Sequence, residues 1–315
     1  MSQYILITVV LFSLSGILNA QVYYNNQINY FNIEITPSIL SSEEKNNNLE
    51  FLYHQNLNKK QPLIQQNIFY SKLFKNEYTG FGMGLSSAHY EKGNYRYQAG
   101  FGLAYRLIVF NYLYLRTGFY YKLIAASPNI TSFQFYNIVT DQYQNRGIIH
   151  DRLNLSVSLS STLEEFYISY SYLNGFTFIN TNREQLYPSN HVITLGDLST
   201  LFSTNQFLWS FALMSKSETF SHIVFTDYMQ RFVLSRKTSL YYGLRAGLDK
   251  KHYFISPALE IKSEDFTVKL SGNIIVRREN LSTVYGTAIQ LSFIYKLYNY
   301  ENKHTNRNRR ANVNF

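Results

Sequence analysis

The feature that most constrains the fold is a strict alternation of residue types at every second position. Between residues 95 and 106, the odd positions hold Tyr, Ala, Phe and Leu, whereas the even positions hold Arg, Gln, Gly and Ala. Because neighbouring side chains of a β-strand point to opposite faces, this pattern predicts a strand with one apolar face and one small, polar face. A second strand of the same type is predicted over 113–123, after a tight turn at Phe110-Asn111.

Similar alternating segments recur along the chain at the spacing of β-hairpins. Together with three or four strands between residues 80 and 124, they predict an all-β protein of about 12–14 antiparallel strands. Two polar stretches, 127–150 and 180–190, are predicted to be long loops. The other predicted strands lie near 48–55, 63–74, 152–160, 165–174, 192–200, 206–214, 219–227, 232–248 (a range long enough for two), 253–262, 266–276 and 284–298.

The composition of the two strand faces separates a soluble sheet from a membrane barrel. A β-sandwich exposes its second face to water and fills it with charged residues. Here aromatic residues reach 17% and charged residues only 16% of the chain, and the smaller face is rich in Gly, Ala, Ser and Gln. These properties favour a transmembrane antiparallel β-barrel with a polar lumen and lipid around it. A periplasmic β-sandwich is the alternative fold.

Basic residues on the smaller face are the first candidate functional residues. If Tyr97 and Phe101 face lipid, the even-numbered positions of the same strand face the lumen. Cations in the lumen can bias a pore toward anions. The lumen-facing basic candidates are Arg96, Arg106, Arg116 and Lys122.

The two ends of the chain differ from its middle. Residues 5–18 are apolar and uncharged, which predicts a signal peptide over 1–20 and export by the Sec pathway. The chain has no Cys, so a lipid anchor on cysteine and a disulfide framework are excluded. Residues 21–299 are predicted to form the barrel, and residues 300–315 a basic, disordered tail. Tail residues that could contact an acidic periplasmic partner are Lys303, Arg307, Arg309 and Arg310.

Motifs for enzymatic or metal chemistry are missing from the sequence. No two of the seven histidines lie two to four residues apart, as metal ligands often do, and no G-x-S-x-G occurs. The glycines of "GFGMG" (80–84) lie inside a strand pattern and so do not predict a dinucleotide site. We therefore expect a non-enzymatic protein without cofactors; a hydrolase barrel assembled from distant residues remains an alternative. The net charge of +9 is dispersed, which does not favour binding to nucleic acid.

Three segments resemble the PorP/SprF family of type IX secretion outer-membrane proteins. They are "GFGMGLSSAHYEKGNYRYQAGFGLAYRLIVFNYLYLRTGFYYKLI" (80–124), "DRLNLSVSLSSTLEEFYISYSYLNGF" (151–176) and "TAIQLSFIYKLYN" (287–299). Members of that family begin with a stretch that contains two Asn-Pro steps. Here only Phe31-Asn32 and Thr36-Pro37 remain, so the resemblance is to a divergent member.

The resemblance implies a function in protein export. It implies a non-enzymatic outer-membrane barrel of the Bacteroidota type that works with periplasmic type IX secretion components. Its client would be a secreted or surface protein such as a gliding adhesin, and outer-membrane lipid would surround it. The alternative function is a passive porin for small solutes.

Overall fold

Fourteen β-strands account for most of the described chain. The computed structural model describes residues 33–42, 45–57, 63–90, 95–110, 113–126, 148–161, 166–176, 178, 190–197, 207–216, 222–235, 237–248, 252–277 and 280–297. The strands are β1 (Asn48–Asn56), β2 (Leu63–Leu73), β3 (Thr79–Tyr90), β4 (Tyr95–Phe110), β5 (Leu113–Ala126), β6 (Ile148–Ser161), β7 (Phe166–Phe176), β8 (Asn190–Asp197), β9 (Phe207–Lys216), β10 (His222–Ser235), β11 (Thr238–Leu248), β12 (His252–Ser263), β13 (Phe266–Arg277) and β14 (Asn280–Lys296).

The strands form one closed antiparallel barrel. Each strand pairs with its neighbours in sequence, and β1 pairs with β14 from Asn48↔Lys296 to Asn56↔Ala288. Closure leaves no sheet edge with unpaired backbone groups, which is the condition for placing a sheet in hydrocarbon. The predicted all-β antiparallel barrel is confirmed, and the 14 strands lie at the upper end of the predicted range.

Some predicted boundaries were wrong. The strand predicted over 219–227 is the first part of β10, which continues to Ser235, and β11 fills the rest of the 232–248 range. The loop predicted over 127–150 is too long by three residues, because Ile148 and Ile149 pair with Ala126 and Ala125 of β5. Likewise, Asn190 belongs to β8. Polar sequence next to a strand does not show where the strand begins, because backbone pairing with the neighbouring strand can extend it into that sequence.

The exposed surface of the barrel is apolar and its interior is polar. Phe101, Leu103 and Tyr105 of β4 are exposed, whereas Ala104 and Arg106 between and beside them are buried. Buried serines recur on the inner faces of β6, β7, β12, β13 and β14. This is the reverse of a water-soluble core and is the arrangement that a lipid environment requires.

The two ends of the barrel carry connections of different length. Asn48 and Lys296 lie at one end, which we call the terminal end; the antiparallel order puts the connections 74–78, 111–112, 162–165, 198–206, 236–237 and 264–265 at the same end. The two longest connections, 127–147 and 177–189, join strands at the opposite end. Outer-membrane barrels have short periplasmic turns and longer extracellular loops, so the terminal end corresponds to the periplasmic side of such a barrel.

A segment ahead of β1 lies inside the barrel. Residues 33–42, hereafter the inner segment, contain a short 3-10 helix at Pro37–Ser41 that is completely buried. The helix contacts β2 to β6 on the inner side of the wall. Among the described residues, no helix has the length and apolar character needed to cross a membrane. The residues predicted to form the signal peptide and the basic tail lie outside the described residues.

Candidate functional site

The wall beneath the inner segment is built from glycines. Gly80 and Gly82 of β3, Gly102 of β4 and Gly118 of β5 face inward and form what we call the glycine seat. A Cβ atom on Gly80 would overlap the carbonyl oxygen of Leu40. A Cβ atom on Gly118 would lie 2.6 Å from the backbone nitrogen of Ser38. Because real Cβ atoms do not approach so closely, these positions need glycine for the inner segment to fit.

The local sequence of the inner segment explains its short helix. Pro37 occupies the start of the helix, where its missing N–H costs nothing and its fixed φ angle suits a helical turn. Ile39 N–H donates to the carbonyl oxygen of Thr36 at 3.1 Å, and Ser42 N–H donates to the carbonyl oxygen of Ile39 at 2.8 Å. Ser42 then has an extended backbone, which ends the helix. The segment is thus a single compact turn that can enter a narrow lumen.

Apolar side chains from the inner segment and the wall form a small core inside the lumen. Ile39 and Leu40 are fully buried, and full burial of such side chains stabilises by about 1.5–3 kcal/mol each. Tyr120 of β5 fills the space above Gly84 and Gly100. The buried residues of this cluster are Ile33, Ile39, Leu40, Phe69, Ala104, Tyr120 and Tyr167.

Hydroxyl and amide groups of β6 hold the inner segment in place. Ser38 N–H donates to Oγ of Ser156 at 2.7 Å, and Oγ of Ser38 lies 3.0 Å from Oγ of Ser158. Asn154 Nδ2 donates to the carbonyl oxygen of Glu34 at 2.6 Å. These bonds satisfy backbone groups that no sheet partner reaches, and buried backbone groups normally require such partners.

The chain turns from the inner segment into β1 through an anchored corner. Asn47 has φ 53°, in the left-handed region that Asn tolerates. Its side chain accepts a bond from Tyr70 Oη at 3.0 Å and donates to the carbonyl oxygen of Leu297. Lys45 pairs with Glu50 at 3.0 Å. This corner therefore ties the inner segment to β1, β2 and the end of β14.

Two of the predicted luminal cations lie side by side near the terminal end. Arg106 and Arg116 are register partners on β4 and β5, and both are buried. Their guanidinium carbons lie 4.8 and 5.1 Å from the ring centre of Tyr114, which is within cation–π range. Arg116 also donates to Ser160 Oγ, and Glu77 lies 3.9 Å from Arg106. The two positively charged guanidinium groups thus share the ring of Tyr114, and the carboxylate of Glu77 lies near one of them.

The other two predicted cations lie farther toward the opposite end. Arg96 of β4 and Lys122 of β5 are half-buried, and Lys122 is the register partner of Arg152 on β6. Arg152 is buried and was missed as a candidate, although it shares the even-numbered face of β6 with Asn154. The tail candidates Lys303, Arg307, Arg309 and Arg310 lie outside the described residues.

The opposite side of the lumen carries paired charges, which the sequence analysis did not identify. Asp227 of β10 accepts two hydrogen bonds from Arg245 of β11, one of them at 2.6 Å from Nη2, and a third bond from Ser210 Oγ at 3.0 Å. Lys269 lies 3.9 Å from Glu260. We call Asp227, Arg245, Glu260 and Lys269 the charged wall. Pairing across adjacent strands was not readable from the sequence, because the register was unknown.

Side chains that could bind a metal ion do not cluster in the described part of the chain. No group of three or more His, Asp or Glu side chains gathers among the described residues. The Asp227 carboxylate accepts hydrogen bonds from Arg245 and Ser210. This interior holds the inner segment on one side and the ion pair of Asp227 with Arg245 on the other.

Comparisons with known proteins identify the fold and leave the family open. No protein-family model matches the sequence, and no curated protein does. The toluene transporter TodX of P. putida has a similar structure: TM-score 0.50 at 9% identity, covering 90% of this chain and 97% of that one. The Ralstonia pickettii toluene transporter TbuX gives 0.45 at 8% identity, covering 84% and 95%. The KdgM porin gives 0.37 at 7% identity, covering 80% and 99%.

At such low identity, these likenesses concern the fold alone. The TodX match extends over nearly the whole of both chains, so the chain shares a barrel architecture with that protein. Function on a shared fold depends on the particular side chains and segments of each protein.

Proposed function

We propose that this chain is a non-enzymatic barrel of the bacterial outer membrane whose interior is closed on one side by its own inner segment. The observation that carries the proposal is the burial of Pro37–Ser41 against the glycine seat. A segment packed in the lumen takes up space through which solutes would pass, whereas in a scaffold it adds packing contacts with β2 to β6. The apolar exterior and closed sheet support the membrane location.

We further propose that the barrel acts in type IX secretion, as its resemblance to the PorP/SprF family implies. Both ends of the barrel domain lie at the terminal end, where connections have at most nine residues, and this end would face the periplasm. Periplasmic components of the machinery would bind there, with residues 300–315 available as a basic contact. The client would be a secreted or surface protein such as a gliding adhesin.

A second candidate function is a pore for small solutes. It is favoured by the charged wall. Asp227, Arg245 and Lys269 lie along the lumen there, and charged side chains also line the conducting path of many channels. The two functions make opposite demands on the inner segment. A porin must conduct with this segment in place, whereas a scaffold need not.

Conductance of the purified protein in planar bilayers distinguishes the two candidates. We expect few and small openings from the full chain if the inner segment closes the lumen. Stable, large and voltage-independent openings in every insertion would favour the porin. A heat-modifiable band on a gel controls for folded protein in both cases.

The secretion function is tested in cells that lack the gene. We expect type IX clients to disappear from the medium and from the cell surface, and to return when the intact gene is supplied. Normal export and adhesion in the deletion strain would refute the secretion function and leave the barrel fold unaffected.

A further inference from the structure

We infer that the glycine seat and the adjoining serines of β6 form a peptide-binding site, whose resident ligand is the inner segment. The inference goes beyond the proposed function, because it concerns the site itself and not secretion. The site would take a short peptide with a proline-started turn, an aliphatic pair and flanking serines. The resident sequence is IEITPSILSS, residues 33–42.

The first argument is that the barrel closes without the inner segment. In the described part of the chain, β1 to β14 complete the ladder, and β1 pairs directly with β14. The inner segment is held by contacts of a different kind, such as Ser38 with Ser156 and Ser158. The inner segment can therefore dissociate from the lumen without breaking the pairing between any two strands, as a bound ligand dissociates from its site.

The second argument is that the seat is shaped for peptide backbone. Gly80 faces the Leu40 carbonyl group, and Gly118 faces the Pro37-Ser38 peptide unit. At both positions the wall has no side chain, and the backbone of the inner segment occupies that space. The Leu40 side chain fits over Gly82 and Gly102. At Gly80, Gly82 and Gly118 the nearest atoms belong to the inner segment, so the seat follows the path of this peptide at three positions; at Gly102 the nearest atom is the carbonyl oxygen of Phe119.

The third argument concerns specificity. Ser38 supplies a donor and a hydroxyl that meet two serines of β6, and Asn154 binds the Glu34 carbonyl. Ile39 and Leu40 are fully buried in the apolar cluster with Phe69, Ala104 and Tyr120. A charged residue at Leu40 would have to lose its water without gaining a partner, so we expect the site to reject it.

Attachment to β1 favours the resident ligand over any competitor. The connection from Ser42 to Asn48 is short, and a short tether gives an effective concentration on the order of millimolar or higher. A peptide added from outside will therefore bind measurably only when the resident segment has been removed or weakened. The test uses two such variants.

The first variant lacks residues 21–42, and the second is the full chain with Leu40→Asp. Each also carries Ser158→Cys as a capture residue; because the natural chain has no Cys, the added thiol is unique. The probe is the peptide IEITPCILSS, with Cys at the position of Ser38. The matched control carries Ser256→Cys in place of Ser158→Cys, since Ser256 of β12 is also buried on the inner face but lies on the charged side.

The Cys of the probe is activated as a mixed disulfide with 2-thiopyridine, so that the introduced protein thiolate attacks the peptide sulfur and thiopyridine leaves. We expect the probe to form a disulfide with the Ser158→Cys variants and little or none with the Ser256→Cys controls, seen as a mass shift on a non-reducing gel. Unmodified IEITPSILSS should compete, whereas the same peptide with Asp at the Leu40 position should compete at least roughly tenfold less well. Equal capture by the two introduced thiols, or none in either folded variant, would overturn the inference. If the shortened chain does not fold, the Leu40→Asp chain decides the question alone.

Discussion

The lumen side formed by β3 to β5 and the side formed by β10 to β13 are filled in different ways. On the first side the wall is glycine at Gly80 and Gly118, and the inner segment supplies the filling atoms. On the second side the wall carries long charged side chains, with Arg245 clamped on Asp227. Both lie within one continuous sheet; Gly80 and Arg245 are buried, whereas Asp227, Met229 and Arg231 on β10 are half-buried.

The difference shows how the occupant of the lumen determines the composition of the wall. At Gly80 and Gly118 the backbone of the inner segment comes so close that a Cβ atom would collide with it, so these two wall positions must be glycine. Where only wall side chains meet, the space is filled by long residues that must pair their charges to remain buried. Substitutions on the two sides should therefore have different effects. At the glycine seat they should release the inner segment and leave the barrel closed, whereas on the charged wall they should destabilise the barrel itself.

The largest effect is expected from the double variant Gly80→Ala/Gly118→Ala. Both new methyl groups would overlap the inner segment, so the segment should leave the seat while the barrel remains closed. A reporter cysteine at Ser41, which is buried in the native chain, should then react with a maleimide roughly 100-fold faster, because protection of a few kcal/mol is lost. Gly272→Ala is the control, since its Cβ would lie 3.6 Å from Pro257, an ordinary contact distance. Unchanged labelling in the double variant would contradict this account of the seat.

On the charged wall, Asp227→Ala should destabilise the barrel itself. It removes the carboxylate that holds Arg245, whose side chain is only 10% exposed, and loss of one partner of a buried pair costs about 3 kcal/mol. Denaturant unfolding in detergent, followed by the heat-modifiable band, measures the change. The double variant Asp227→Leu/Arg245→Met should recover most of the loss; equal loss in the single and double variants would show that the ion pair is not the cause.

The Leu40→Ala variant should change the stability of the barrel less than Asp227→Ala does, but it should clearly weaken the docking of the inner segment in the lumen. Removing buried methyl groups should weaken docking of the inner segment by about 2 kcal/mol, the lower end for such core changes. The labelling rate at Ser41→Cys should rise, while the free energy of barrel unfolding changes little. A fall in barrel stability as large as that of Asp227→Ala would mean that the inner segment is part of the barrel's structural core.

The smallest effect is expected at the rim of the terminal end. Lys237 pairs with Glu264 at 3.1 Å, but its side chain is 73% exposed. Exposed pairs of this kind contribute less than about 1 kcal/mol. Lys237→Ala should therefore leave the unfolding midpoint and the labelling of Ser41→Cys unchanged. A measurable loss would indicate that this corner holds the β10–β11 turn in place.

Much of the fold could be predicted because the strands repeat a period of two. The alternation at 95–106 defined both the strand and its two faces, and β4 occupies that range and extends to Phe110. Strand ends were less predictable, as at β6 and β10, because pairing with a neighbour extends a strand through residues with no pattern of their own.

The interior site was predictable only in part. The sequence placed Arg106 and Arg116 on the inner face, and the structure buries both beside Tyr114. It gave no sign that Pro37–Ser41 would enter the lumen. The sequence placed the glycines of 80–84 inside a strand but did not indicate what lies against them, and the inner segment contacts Gly80 and Gly82. Export, secretion partners and the tail contacts stay predictions.

The sequence by itself determined that this chain forms antiparallel strands with one apolar and one polar face, because side-chain direction in a strand depends only on position along it. The tertiary structure decided what lies inside: the inner segment over Gly118 on one side, and Asp227 with Arg245 on the other. These contacts join residues far apart in the chain. They depend on register and on closure of the barrel, neither of which any local pattern records.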